Sequence, residues 1–488
     1  MEVVKDPNAW LDTKHAHYLK MDCLERWQRW RAILDGMDTE DIKKKFLPKT
    51  EVELQADYDF RIKTAEFLGV TDAAINRLCG AVFGVPARIE SANALVMDFV
   101  ENCDGAGTSI LDFFESSSPE AQGMGIAFIG IDRAAIIGEP PATEAAEQAT
   151  GSMRCFATLY TAEQVRNWAF DASGELSAVI IGRLVTEQSG IMEDVKKFDE
   201  RRVITKTEIT VWRKEIDEKG QPKEGEVWRI VQGPVATGLD IVPVVPIYGL
   251  YHDPMRGWSI HSGTMKADIA RFNEETWSAI DRYRHANQLL VIQSDREIKE
   301  IIKNGVFRLL SDEEMKYVSP TSVAFDAQEN AIARLRQEAI SQSGTNPSAT
   351  SDAPNSTTGE SGIAQRVRFS HTEKRAIESH ARAIEAALER VLEIVELWLT
   401  NTKTIANPAK VSFFTTFDSF EIGEQLSVYG KAQYWIQSPT WHREMLKRIA
   451  AQSMPDMDEA EKKKISDEID AQPAPDPTKD PATVNGGF

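Results

Sequence analysis

Between Ser341 and Leu399, a segment made almost wholly of Ser, Thr, Gly, Asn and Pro runs into a long amphipathic pattern. Residues 342–361 carry only Asp352 and Glu360 as charges and hold too little apolar surface to fold alone, so they read as a linker or a working loop. Beyond them, Ile377, Ala381, Ile384, Leu388, Val391, Val395 and Trp398 recur at alternating steps of four and three. That spacing predicts one apolar stripe on a helix, with Glu378, Arg382, Glu385, Glu389 and Glu393 outside it. A helix over 362–400, about 40 residues at ~1.5 Å each, would span roughly 60 Å. Such a length suits the wall of a ring-shaped assembly better than a small globular enzyme.

At 488 residues and 42% hydrophobic content, the chain is long enough for about three domains with real cores. The start, Met1 to Pro7, lacks the apolar core of a signal peptide. The longest apolar runs, 126–131 and 241–251, are short or broken by proline, so no membrane partner and an intracellular place of synthesis are expected. Cys23, Cys79, Cys103 and Cys155 lie far apart, which favours reduced, buried thiols over a disulfide frame or a zinc site. The net charge of −20, from 56 basic and 76 acidic side chains, argues against static nucleic-acid binding, which rests on phosphate neutralisation. It is compatible with DNA in transit, because a channel lined by acidic and neutral groups does not trap a sliding polyanion.

Along the chain, residues 1–60 read as a polar helical arm with Trp10, Leu24, Trp27, Trp30, Ile33 and Leu34 buried and Lys43 to Lys45 solvated. A helix is expected over 57–82, stopped by Gly84 and Pro86, and another over 93–114, interrupted at Cys103 to Gly107. Strands are expected at 125–137, 155–160, 176–185, 203–216 and 226–232, a short Thr-capped helix at 161–168, and a hairpin turn at Lys219 to Pro222. The two prolines of 243–248 restrict that segment to an edge strand or extended tail. A long helix follows at 262–288, with Met265, Ile269, Phe272, Trp277, Ile280 and Tyr283 as its apolar positions. Then come a strand at 289–292, a helix at 295–303, strands at 305–310 and 317–325, and a helix at 327–341 that delivers the chain to the polar loop. A strand at 411–417, helices at 422–435 and 441–450, and an acidic, proline-rich, partly disordered tail from Pro455 complete the α+β reading. The order helix, small β insert, helix, polar loop, long helix describes a protein with a narrow projecting part.

Particular residues carry a family resemblance. Asn102 to Ser109, Tyr160 to Trp168, Val242 to Ile247, Asn273 to Asn287, Phe417-Asp418, Ser438 to Arg443 and Asp456 to Glu461 resemble, in order and spacing, landmarks of the tailed-bacteriophage portal protein family, the head-to-tail connectors. The likeness covers roughly residues 50 to 470. It implies a portal-like α+β fold, a homo-oligomeric ring, usually a dodecamer, at one capsid vertex of the virion, assembled in the host cytoplasm, and a central channel for packaging and ejecting double-stranded viral DNA. The terminase large subunit, a head–tail adaptor, and the major capsid and scaffolding proteins are the implied partners. Under the resemblance, 1–60 is the N-terminal arm, 61–261 an α+β wing, 262–288 the first stem helix, 289–325 the clip and 326–341 the second stem helix. Residues 342–361 become the tunnel loop, 362–400 the helix above it, 401–470 the crown and 471–488 a disordered tail.

Thr345, Asn346, Ser348, Thr350, Ser351, Asn355, Ser356, Thr357 and Thr358 are the DNA-facing candidates of the tunnel loop. Small hydroxyl and amide groups touch phosphates through weak, exchangeable hydrogen bonds, whereas lysines would add a salt-dependent hold at each contact. An idle linker is the bland alternative. In the clip, Lys299, Lys303, Arg308 and Lys316 are candidates for docking a partner or meeting DNA, set against a simple solvated face. Arg334 and Arg336 lie on opposite sides of one helical turn, so at most one could face a channel.

Signals for catalysis are weak. There is no Gly-x-x-x-x-Gly-Lys-Ser/Thr loop, Gly123-Met124-Gly125 lacks a third glycine, and Gly359-Glu360-Ser361-Gly362 lacks nucleophile-elbow spacing. The eight histidines form no ligand set and read as surface or capping residues, the run Asp312-Glu313-Glu314 reads as a helix start, and Trp277, Trp398, Trp435 and Trp441 as packing anchors. No enzyme activity, cofactor or metal is expected. Another ring-forming head–tail protein, such as an adaptor, and a soluble enzyme of unfamiliar site are the competing readings.

Overall fold

The computed structural model describes residues 10–16, 18, 23–51, 53–85, 87–91, 93–133, 154–188, 195–218, 220–223, 225–285, 289–293, 302–303, 306–307, 314–318, 322–343, 373–413, 429, 438–453 and 459–471. They fall into two compact units, Met1–Thr415 and Thr416–Phe488, and the class is α+β.

The first unit opens with helices α1 (Cys23–Leu34), α2 (Glu40–Phe46), α3 (Gln55–Thr64) and α4 (Thr71–Phe83). Where one helix was expected over 57–82, two form. The break has a tertiary cause: the buried carboxylate of Asp268, almost 200 residues away in sequence, accepts the N–H groups of Val70 and Thr71 (both 2.9 Å) and the Thr71 hydroxyl (2.7 Å). A negative charge on free amides at a helix start fixes where that helix begins. The N-terminal helices are anchored on the body: Trp27, Trp30, Ile33, Met37 and Leu47 share one core with Phe128, Val244, Met265 and Phe272. The Trp27 indole N–H also donates to the Met124 carbonyl at 3.1 Å.

Strand β1 (Arg88–Glu90) precedes helices α5 (Ala94–Glu101) and α6 (Ile110–Met124), and β2 (Ile126–Arg133) follows directly. Residues 126–131 are buried, as a central strand of apolar run requires. On either side of β2 lie, antiparallel, β3 (Cys155–Tyr160) and β9 (Val244–Tyr248), so the proline-bearing strand does occupy an edge.

A five-stranded antiparallel meander is formed by β4 (Val165–Phe170), β5 (Leu176–Glu187), β6 (Lys196–Thr205), β7 (Glu208–Ile216) and β8 (Arg229–Ala236). Two expectations fail in it. Residues 161–168 make one turn and then enter β4 instead of forming a helix, because the Gln164 carbonyl that a helix would use internally accepts the Gly182 N–H of β5 at 2.8 Å. Val165 and Trp168 are buried by that pairing, so the sheet overrides local helix preference. The segment 203–216 is likewise two strands, turned at Lys206, whose ammonium is held by Asp171 (2.7 Å) and Glu175 (2.8 Å). A short hairpin, β10 (Leu250–Asp253) with β11 (Arg256–Trp258), closes this region.

Later in the unit, helix α9 (Glu373–Thr400) lies against β9, β2, α4 and α5. Residues 362–372 of the expected helix fall outside the described residues. Burial is wider than one stripe: Ala387, Leu392, Ile394 and Leu397 are covered along with the expected positions. Glu385 and Glu389 do not simply face solvent. Their carboxylates accept the N–H groups of Phe413 (2.8 Å) and Val411 (3.1 Å), beside strand β16 (Lys410–Ser412), which pairs with β1.

In the second unit, α10 (Pro439–Ser453) packs on α11 (Glu459–Ala471). Ile449 and Ile469 are buried and Lys447 pairs with Asp470 at 2.9 Å. Residues 459–471 were expected within a partly disordered tail, but Ile465 and Ile469, one turn apart, supply an apolar face that a neighbouring helix covers. Of the helix expected at 422–435, only Tyr429 is described; its ring stacks on Trp441.

Candidate functional site: a helical hairpin with a β tip

Helix α7 (Ser262–His285) leads into strand β12 (Leu289–Gln293), then β13 (Ile302–Lys303), β14 (Val306–Phe307) and β15 (Glu314–Val318), and the chain returns along helix α8 (Ser322–Gln342). The helices run antiparallel. Gly263 meets the Gln342 side chain, the Gln328 amide donates to Asp281 at 2.7 Å, and Arg282 lies 3.5 Å from Glu329. Burial holds the Glu275 carboxyl above the usual range, against the opposing pull of Arg271 and Arg336. Met265, Phe272 and Ile280 are buried on α7, which is the inner helix. On α8 only Gln328, Ile332 and Leu335 are half-buried between Asp326 and Glu338; the rest is exposed until Ala339 and Ile340.

At the tip, β12 pairs with β15 in antiparallel register from Leu289 opposite Val318 to Gln293 opposite Glu314. A second ladder joins β13 and β14, with Lys303 opposite Val306. These ladders correct three expectations. Ile302 and Lys303 belong to a strand and not to a helix over 295–303; Glu314 opens a strand and not a helix; and the strand expected over 317–325 stops at Val318, with α8 starting at Ser322. The reason is again pairing at a distance, since β15 takes its partner from a segment more than twenty residues earlier.

Of the docking candidates, Lys316 is exposed on β15, opposite Val291, and Lys303 lies on β13, in the second ladder. Lys299 and Arg308 lie outside the described residues, as do all nine tunnel-loop candidates from Thr345 to Thr358. Arg334 and Arg336 are both exposed on α8, and Arg336 is near enough to Glu275 to favour that residue's charge. The anchoring reading of tryptophan holds at Trp398, which is buried and donates to the Thr237 carbonyl, and at Trp277, under the Arg61 guanidinium 4.1 Å away.

Sequence reasoning missed a buried polar cluster. His261, His380 and His442 are buried, not surface or capping residues. The Ser118 hydroxyl lies 2.7 Å from His380 Nε2, the separation of a nucleophile and its base. Both side chains are fully enclosed, so no substrate reaches them, and the pair is structural. One signal could have found it: His380 sits one step from Ala381 and three from Ile377, inside the apolar stripe. Among the described residues, no group of three His, Cys, Asp or Glu could hold a metal ion, and no helix is long and apolar enough to cross a membrane. Cys79, Cys103 and Cys155 are free and buried. A cleft of about 670 Å³ beside α1 and α2 is lined by charges of both signs, Arg29, Lys45, Glu25, Asp35 and Glu163 among them, so no single ligand charge is favoured there.

No protein-family model matches the chain, and no curated protein matches it. Among solved structures, a chain in the neck of an empty GTA particle computed with C6 symmetry is similar at 12% identity and TM-score 0.45, covering 82% of this chain and 95% of that one. A chain in the virion of a native gene transfer agent particle is similar at 13% identity and TM-score 0.42, covering 90% and 98%. Likeness of this degree decides neither family nor activity.

Proposed function

We propose that the chain is a portal protein, a subunit of a ring at one vertex of a phage or phage-like capsid. The ring is the channel for DNA packaging and ejection, and the docking site for terminase and head–tail connector proteins. The observation that supports this best is the antiparallel hairpin of α7 and α8 with its β tip, which returns the chain to the hydroxyl- and amide-rich segment 342–361, followed in sequence by α9. In this reading the strands of 289–318 are the clip, α7 and α8 the stem, the hydroxyl- and amide-rich segment the tunnel loop, and the helices after 438 part of the crown. Lys303 on β13 and Lys316 on β15 are the docking candidates of this reading that lie among the described residues. The role is structural, with no chemistry assigned to the chain itself.

Electron micrographs of the purified protein test the assembly. Closed rings with a central hole are expected, and a monomer that persists at high concentration rejects the proposal; subunit mass and ring thickness then separate a portal from an adaptor. The channel role has its own test. Deleting Thr345 to Thr358 should leave rings intact while lowering DNA packaging or retention at least tenfold, and normal packaging by such rings would remove the loop from the mechanism.

A further inference from the structure

Ser118 and Gln122 of α6, His380 of α9 and His261, the residue before α7, meet in one buried cluster. The Gln122 carboxamide Oε1 is 3.1 Å from His261 Nε2, so that nitrogen donates and His261 carries its proton there. The Gln122 NH2 group donates to Ser118 Oγ (3.0 Å) and Cys79 Sγ (3.0 Å) and stands 3.3 Å from His380 Nε2. The Ser118 hydroxyl therefore donates to His380 Nε2, whose proton is on Nδ1. Ser259 and Ile260 tie the same corner to α6 through the Gln122 carbonyl, at 2.9 and 3.2 Å.

We propose that this cluster is an acid-release latch: while both imidazoles are neutral it fastens the root of the α7–α8 hairpin and the first turns of α9 to α6, and protonation of either histidine opens that joint before the body unfolds. A proton on His380 Nε2 would set a donor against the Gln122 NH2 and leave the Ser118 hydroxyl to reverse. A proton on His261 Nδ1 would bury a charge on an atom that has no hydrogen-bond partner among the described residues.

Among the described residues no charge compensates: His261 is the electrostatic neighbour that acts on His380 and opposes its charging, and burial is what acts on His261. From α4 the facing titratable group is Cys79, a thiol that burial keeps protonated; Glu115 of α6 is exposed and acts on Cys79. On α9 itself, Glu378 and Arg382 pair with each other at 3.4 Å. Burial first, and for His380 its neighbour second, pushes the histidines from the ordinary 6.5 down to about 4 (His261) and about 3 (His380).

These folded values lie below the released ones, so the latch is at full strength above pH 6.5 and weakens as pH falls, because only the released state takes up the proton. By pH 4, where the folded His261 is itself half protonated, that residue alone would shift the balance roughly 150-fold toward release.

Hydrogen exchange on the full chain from pH 7 to 3.5, read at histidine C2 and at backbone amides, tests the latch. Amides in 262–268 and 375–384 should lose protection together at a higher pH than those of β2. In the variant H261Q/H380Q that opening should move at least one pH unit lower. Either imidazole titrating near 6.5 in the folded chain, opening of both segments only together with β2, or an unchanged opening pH in the variant overturns the latch. Should the variant not fold, the two wild-type readouts decide the matter.

Discussion

Helices α8 and α9 are of similar size, 21 and 28 residues, and the sequence shows apolar periodicity in both, yet they live in different surroundings. Over Asp326 to Glu338, α8 packs chiefly on α7 among the described residues, with Gln328, Ile332 and Leu335 half-buried. Helix α9 is wrapped by β9, β2, α4 and α5 and buries apolar residues well beyond one stripe. Covering a Leu or Ile side chain contributes about 1.5–3 kcal/mol, so α9 carries much of the first unit's stability. By contrast, α8 is exposed over most of its length and contributes little to it. A helix inside the core and a helix at the surface thus differ in the number of neighbours, not in their length or their ability to form.

Putting aspartate at Ile384 and Leu388, both fully buried, is the hardest blow to this contrast. Each buried charge costs several kcal/mol, enough together to remove the folded body, read as lost far-UV circular dichroism and soluble yield. Leu335→Asp on α8 should keep the fold; equal damage from it would abolish the distinction. Next in size is Arg61→Ala. Arg61 and Glu53 are a buried pair joined at 2.9 and 3.0 Å, and Arg61 also lies on Trp277 of α7. Leaving Glu53 alone should lower stability by about 3–5 kcal/mol in denaturant unfolding, with most of the loss recovered when Glu53 is replaced by Met as well. The smallest effect belongs to the hairpin surface, where Arg282 and Glu329 are both more than half exposed. Arg282→Ala should change stability by no more than about 0.5 kcal/mol, and a larger loss would mean that α8 is less isolated than its exposure indicates.

Much of this organisation is legible in the chain. The strands at 126–133 and 155–160, the edge position of 244–248, the long helix from Ser262 and the order helix, β insert, helix, polar segment, long helix follow from apolar runs, prolines and spacing. The misreadings cluster where a distant group rewrote a local preference: Asp268 starting α4 at Thr71, Gly182 of β5 claiming the Gln164 carbonyl, and β12 claiming Glu314. At the candidate site, the hairpin was readable from the sequence, whereas the pairing that makes its tip was not. The His261 and His380 cluster was hidden for the same reason, because four residues from three elements acquire meaning only as neighbours.

Amino-acid order alone thus determined where helices can run, which faces are apolar, and that a segment rich in hydroxyl and amide side chains separates two of those helices, because periodicity and composition are properties of neighbours in sequence. Which helix is enclosed, which carboxylate begins a helix and which histidine loses its water were decided by tertiary structure. Burial and pairing depend on what is brought together from elsewhere in the chain, and a single local pattern is compatible with several such outcomes.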